Sequence, residues 1–199
     1  MALVLNGQAN TIGGLAVGGL PDGSIATADL ADNAVTADKS SGLGINEYDR
    51  WRITSTFTGA SDPLSSNWER NDNAGFEKIG TGMTQSSGVF TFPSTGKWLI
   101  TFASYGWHTA ATRWTSTEID TTVDTGSNWV KQVQAQSSTP GDGSGAMWSS
   151  DVNYLFDVTN VSTHQCRFVI DVGSGIAGTT SASTNTDNTW ATFMKLGET

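Results

Sequence analysis

The sequence predicts an all-β protein: an antiparallel jelly-roll sandwich head, residues 48–199, preceded by an extended, low-complexity N-terminal anchor or stem, residues 1–47. Three observations predict it. Beyond residue 47 the chain is rich in Gly, Ser, Thr and Trp and poor in Lys, Glu, Leu and Ala, a balance that favours strands and turns over helices. Apolar and polar residues alternate with a period of two in several short runs, and no stretch carries the strand-then-helix rhythm of a parallel sheet. A length of 199 residues suits one β core with a modest extra segment.

Residues 1–20 open on an apolar run, ALVL, and continue through glycines with scattered Ile12, Leu15, Val17 and Leu20, too few to build a core. A turn at Pro21-Asp22-Gly23 follows, and Thr27-Ala28-Asp29 recurs as Thr36-Ala37-Asp38. Two readings fit this segment. It is a disordered acidic linker, or a stem that orders when further copies or a larger partner supply the missing apolar surface, with Leu3, Leu5, Ile12, Leu15 and Leu20 as the anchoring residues. The phrase GLPDGSIATADLADNAVTADK resembles linkers near the N-termini of bacteriophage tail-fibre and virion-appendage proteins. The opening MALVLNG with TIGGLAVGGLPDG is similar to the start of structural proteins of marine, especially cyanobacterial, phages. That resemblance covers about the first quarter of the chain and implies a virion location, synthesis in the host cytoplasm, and other virion proteins as partners.

The head begins with WRITSTFT (51–58), in which Trp51, Ile53 and Phe57 share one face and Arg52, Thr54, Thr56 and Thr58 the other. A polar surface loop is predicted over 59–75 and a weak strand over 76–79. The stretch 89–107, VFTFPSTGKWLITFASYGW, is the centre of the domain. Pro93-Ser94-Thr95-Gly96 is predicted to join 89–92 to 97–105 as a β-hairpin, with Pro93 presetting φ and Gly96 free to take φ > 0. In the second strand Trp98, Ile100 and Phe102 form one face and Leu99, Ala103 and Tyr105 the other, so both faces call for cover. Further strands are predicted at 114–123, 129–136, 146–158, 166–172 and 190–196, nine in all. Cys166, Phe168, Ile170 and Val172 are expected inward, and so are Met194 and Leu196 of the last strand. The residues 139–145, TPGDGSG, and 173–189 are predicted loops.

GVFTFPSTGKWLITFASYG is similar to the signature of complement-type globular heads and tumour necrosis factor-like jelly rolls. In these an aromatic-Pro-x-x-Gly-x-aromatic phrase joins two core strands, and Phe92, Pro93, Gly96, Trp98 and Phe102 match it, with Trp98 in place of the usual tyrosine. The closing TWATFMKLG resembles the family's last strand, with Phe193 at its aromatic position. The cysteines and calcium residues of some members have no counterpart. The resemblance implies a jelly roll and a homotrimer. The residues point the same way, because Leu99, Tyr105, Leu155, Val169 and Phe193 fall on faces opposite those assigned to the core and need a neighbour.

The charge excludes one class of partner. A net charge of −9 leaves no basic stripe to displace counterions from nucleic acid. No run approaches the ~20 apolar residues of a membrane span, so no membrane insertion is expected. Cys166 is the sole cysteine, which rules out an intrachain disulfide and a cysteine-based zinc site; a buried inert thiol is expected. The two histidines, His108 and His164, are read as surface residues outside any metal pair or nucleophile motif. Ser144 lies in GDGSGA, which lacks the G-x-S-x-G pattern of a nucleophile elbow. Asp120, Asp124 and Asp142 lack ordered calcium-loop spacing. No enzyme, cofactor or metal is therefore predicted. Trp51 and Trp98 are expected in the core, whereas Trp107, Trp114, Trp129 and Trp148 lie at strand ends or beside polar loops, where an indole can serve a sugar or a protein partner. The function that emerges is a bacteriophage structural protein, a homotrimeric fibre, knob or capsid appendage adhering to a host-surface glycan or protein. The alternatives are a capsid-decorating protein without a receptor and a free carbohydrate-binding lectin module.

Overall fold

A computed structural model describes residues 4–6, 11–13, 25–32, 34–35, 44–110, 112–139, 145–173 and 178–199. The chain divides into two compact units, 1–43 and 44–199. In the first, β1 (Val4–Asn6) and β2 (Thr11–Gly13) form an antiparallel ladder with Leu5 and Ile12 as backbone partners, and a 3-10 turn spans Thr27–Asp29. Leu3, Leu15 and Leu20 lie outside the described residues.

The second unit is an antiparallel β-sandwich of two sheets. The seven-stranded sheet contains β3 (Tyr48–Ile53), β4 (Phe57–Thr58), β5 (Trp68–Arg70), β8 (Gly96–His108), β11 (Ala146–Val158), β13 (Thr179–Thr180) and β14 (Trp190–Gly197). β8 lies at its heart, paired with β11 along one side and with β14 and β13 along the other. The five-stranded sheet runs β10-β9-β12-β7-β6, from β10 (Val130–Thr139), β9 (Thr112–Thr122), β12 (Gln165–Val172), β7 (Val89–Thr91) and β6 (Thr84–Ser86).

Aromatic side chains fill the space between the sheets. Trp98, Ile100 and Phe102 of β8 meet Phe90, Ile119, Cys166, Phe168 and Ile170 of the other sheet, all essentially buried. Phe102 and Phe168 approach to 4.6 Å between centroids, and Phe193 lies 5.0 Å from Phe90. Such offset or tilted pairs add ring-ring attraction to the burial of apolar area.

Eight of the nine predicted strands form, and four local expectations are overturned. The first is the hairpin. β7 and β8 lie in different sheets: β7 pairs β6 and β12, so Pro93-Ser94-Thr95-Gly96 is a corner between layers. Phe92 and Trp98, on either side of it, contact one another at 5.3 Å across the core. Turn chemistry reverses the chain without choosing its hydrogen-bond partner. The true hairpin is β6–β7, closed by Ser87 and Gly88 with φ of 50° and 79°, the two positive values of a two-residue turn whose twist matches its strands.

The second concerns the last strand. Ala191 and Phe193 point inward, while Met194 is half-buried and Leu196 exposed on the outer side. Counting apolar residues favours the Met194 face. The core selects Phe193 because its ring fits between Phe90 and Phe168, and Lys195 on the same face reaches out to Glu198 at 2.8 Å. Third, 76–79 forms no strand beyond one bridge from Ile79 to Tyr48. Fourth, the polar 59–75 segment hides β5 and two core contributors. Leu64 is buried, and Trp68 packs on Phe90 at 5.0 Å and donates its indole N–H to the Leu64 carbonyl oxygen.

Candidate functional site

Among the described residues, the outer face of the seven-stranded sheet carries an apolar row that no other element covers. Because side chains alternate along a strand, register places residues of one parity in rows across it. Leu155 of β11 stands opposite Leu99 of β8, Leu99 opposite Met194 of β14, and Met194 opposite Tyr48 of β3. The result is one apolar row across four strands. Leu155 is 52% exposed, and the other three are half-buried. Four residues along β8 from Leu99, Asp151, Ala103 and Trp190 form another row, followed by Ser149 beside Tyr105. These residues, with Asp187 and Asn188, line a cavity of about 210 Å³.

A cluster of charges on β3 supports this face. Arg52 is fully buried beneath the chain that follows β5, its guanidinium held by Glu69 at 3.0 Å, by Asn73 at 3.0 Å and by Asp72. A buried guanidinium stays charged, so these partners are obligatory. Arg50 pairs with Asp187 at 2.6 Å and stacks on Trp190 at 4.1 Å from the ring centroid. Asp187 also accepts a hydrogen bond from the Asn71 amide at 2.8 Å. On the inner side of β3, fully buried Asp49 accepts from the Trp51 indole, the Arg70 guanidinium and the Met83 backbone N–H.

The predicted interface residues divide. Leu99, Tyr105 and Leu155 do lie on this outer face. Phe193 does not, because it is wholly buried in the core. Val169 points away from the core yet is buried within the chain. It stands opposite Glu118 on one side, and on the other the 61–64 segment bonds to its neighbours Phe168 and Ile170.

The four candidate tryptophans do not converge. Trp148 belongs to the core, 3% exposed, so it presents no platform; its position on β11 alternates inward with Val152 and Phe156. Trp129 is half-buried beneath the Arg167 guanidinium, 4.7 Å from its centroid, on the other sheet. Trp114 is half-buried on β9, and Trp107 half-buried on the outer face of β8 opposite Met147. Trp190, which was not singled out, is the tryptophan that lines the cavity. The signal available for it was the register of the last strand, whose parity the sequence reading had inverted.

Both histidines are buried, contrary to expectation. His108 lies between the sheets, with Nε2 at 2.8 Å from the Thr115 hydroxyl and Nδ1 at 3.3 Å from that of Thr112; burial lowers its pKa. His164 stacks on Phe156 and contacts the hydroxyls of Thr159 and Thr163. The buried Cys166 thiol is pushed well above its ordinary pKa by desolvation, as an inert core thiol should be. Asp120 is raised by burial, opposed by Arg167 at 2.9 Å. Asp124, held at about 2, accepts from the Thr122 hydroxyl and from Asn128 and so closes the β9–β10 turn. These bonds account for both aspartates as structural groups. Ser144 and Asp142 fall outside the described residues.

Among solved structures the chain is similar to murine APRIL at pH 5.0, with 14% identity over 75% of this chain and 98% of that one at a TM-score of 0.55. It is similar also to Eiger TNF from S. frugiperda, with 10% identity over 76% and 93% of the two chains at a TM-score of 0.57. These likenesses show a TNF-like jelly-roll fold. No protein-family model matches the chain, and no curated protein does.

Proposed function

We propose that the chain is a non-catalytic binding head that works as a homotrimer, displayed on a bacteriophage virion by its N-terminal segment and turned toward a host-surface glycan or protein. The observation that carries the assembly is the Leu155-Leu99-Met194-Tyr48 row. Four apolar side chains in register across one sheet face form a continuous strip, and burying such a strip against neighbouring copies is favourable at ~25 cal/mol per Å² of apolar area. A three-fold axis covers the strip on every subunit at once. Binding then draws on three weak sites held together, so avidity replaces a deep pocket. The virion role is supported by the tail-fibre-like phrases within residues 1–47. A capsid-decorating role without a receptor uses the same assembly.

Light scattering of the full chain at micromolar concentration tests the trimer. A mass three times 21.0 kDa is expected, and Leu99→Asp or Leu155→Asp should reduce it to the monomer while the circular dichroism stays unchanged. A strictly monomeric wild-type protein overturns the assembly. Labelled-antibody electron microscopy of intact particles tests the location, and particles that never take label defeat it.

A further inference from the structure

One end of the space between the sheets is built differently from the rest. Around Phe90, Phe102, Phe168 and Phe193 it is aromatic, whereas toward the far end of β8 it is lined with hydroxyls. Ser104 of β8 contacts Thr117 of β9 at 2.6 Å, and Thr117 contacts Ser150 of β11, so a chain of hydroxyls crosses from one sheet to the other and back. His108 lies beyond it, 1% exposed, with its two ring nitrogens on the Thr115 and Thr112 hydroxyls of β9. Two buried groups beside it make no hydrogen bond: the indole N–H of Trp148, whose ring lies 6.3 Å from the imidazole, and the hydroxyl of Thr139, the strand partner of Thr112.

No charge stands ready to meet a proton on the ring. From β9 His108 faces Thr112 and Thr115, from β11 Trp148, and from the chain before β13 Gly178, none of them titratable. Arg113, the nearest charged residue in sequence, is exposed. Among the described residues burial is the one influence on the ring, and it opposes the charged form. Rotating the two threonine hydroxyls would give both N–H groups of an imidazolium an acceptor, so what the closed end refuses is the charge itself. Water has no room on the Gly178 side, where a Cβ would come within 1.9 Å of the ring.

Hydrating the imidazole therefore requires this end to open, and its lining makes that cheap. Neutral hydrogen bonds between hydroxyls exchange for bonds to water at little net cost, and the Trp148 and Thr139 groups gain partners they lack. The aromatic end has no such compensation, since parting it exposes apolar area. β9 and β10 belong to the sheet away from the apolar row, so they can part from β8 with that row undisturbed. We infer that the hydroxyl-lined end is an acid-sensitive catch: protonation of His108 frees residues 112–117 of β9 and Thr139 of β10 from β8, and the aromatic end stays closed. The inference concerns a change within each head and does not depend on what the head binds.

Linkage sets the size of the effect. With the ordinary imidazole value of 6.5 in the open form and a neutral ring in the closed one, the open fraction rises by up to about tenfold between pH 7.5 and pH 5.5. Thr139→Cys places a thiol at this end. Cys166, whose strand partners are Phe90 and Thr121, is a native thiol at the aromatic end, about 20 Å along the sheet from Thr115 at strand spacing. The full-length variant is labelled with a pyridyl disulfide, and the rate at each thiol is read by mass spectrometry relative to the urea-unfolded chain at the same pH. Position 139 should label up to about tenfold faster at pH 5.5 than at pH 7.5 while Cys166 stays protected, and His108→Gln in the same background should remove the rise. Ser104→Cys, on the facing strand, is a second reporter with the same expected outcome, used if Thr139→Cys does not fold. A labelling rate that does not change with pH overturns the catch, as does a rise that survives His108→Gln. Equal gains at the reporter and at Cys166 show unfolding of the whole head and overturn it as well.

Discussion

Among single residues, His108 carries the clearest condition-dependence. Its imidazole is buried between Thr112 and Thr115 and has a lowered pKa, so the folded protein resists a proton that the unfolded chain accepts near pH 6.5. The unfolded state therefore binds more protons as pH falls through that value, and stability should drop between pH 7.5 and pH 5.5. Urea midpoints at the two values check this, and His108→Gln should flatten the difference. Asp124 acts in another window: its depressed pKa contributes stability above about pH 4 that is lost as pH falls toward 2. Gly88 gives a second residue-scale outcome. It sits at φ 79°, and a Cβ there would come within 2.1 Å of the Leu64 carbonyl oxygen. Gly88→Ala should cost about 2–4 kcal/mol in chemical denaturation, because backbone strain and a clash with main chain coincide.

Element by element, strand positions were largely legible and strand partners were not. Alternation located β8, β11, β12 and β14 to within a few residues, because each buries one face and the period of two is fixed by backbone geometry. β5 and β13 were hidden because they are two or three residues long and owe their existence to partners, β3 for one and β4 with β8 for the other. The inverted parity of β14 had a direct cost for the site. It sent Phe193 outward on paper and put Trp190 out of view, since a one-residue shift of register moves every side chain to the other face. Tyr105 and Leu99 were legible because β8 is apolar on both faces. What could not be read was that Ala103, a small residue without chemistry of its own, would define a cavity through what stands on either side of it.

For the molecule as a whole, the division at residues 43 and 44 yields a further outcome. All strands of the two-sheet sandwich and its aromatic core belong to 44–199. A chain beginning at Gly44 should therefore unfold in one cooperative transition, with a midpoint temperature within a few degrees of the full-length value by calorimetry. A broad, non-cooperative transition would show that the first unit supplies part of the head's stability.

The corner at Pro93-Ser94-Thr95-Gly96 bears on how quickly this architecture can be reached. Because it sends β7 and β8 into different sheets, one of the shortest connections in the chain provides no local pairing for either strand. β8 waits instead for β11, about fifty residues later in the chain, and for β14, later still. Loop-closure entropy must be met before those contacts form, which places folding in the millisecond-to-second range of non-local β topologies. During synthesis β8 leaves the ribosome with two apolar faces and no partner, so the interval before β14 emerges is when the nascent chain is most prone to pair with another copy of itself.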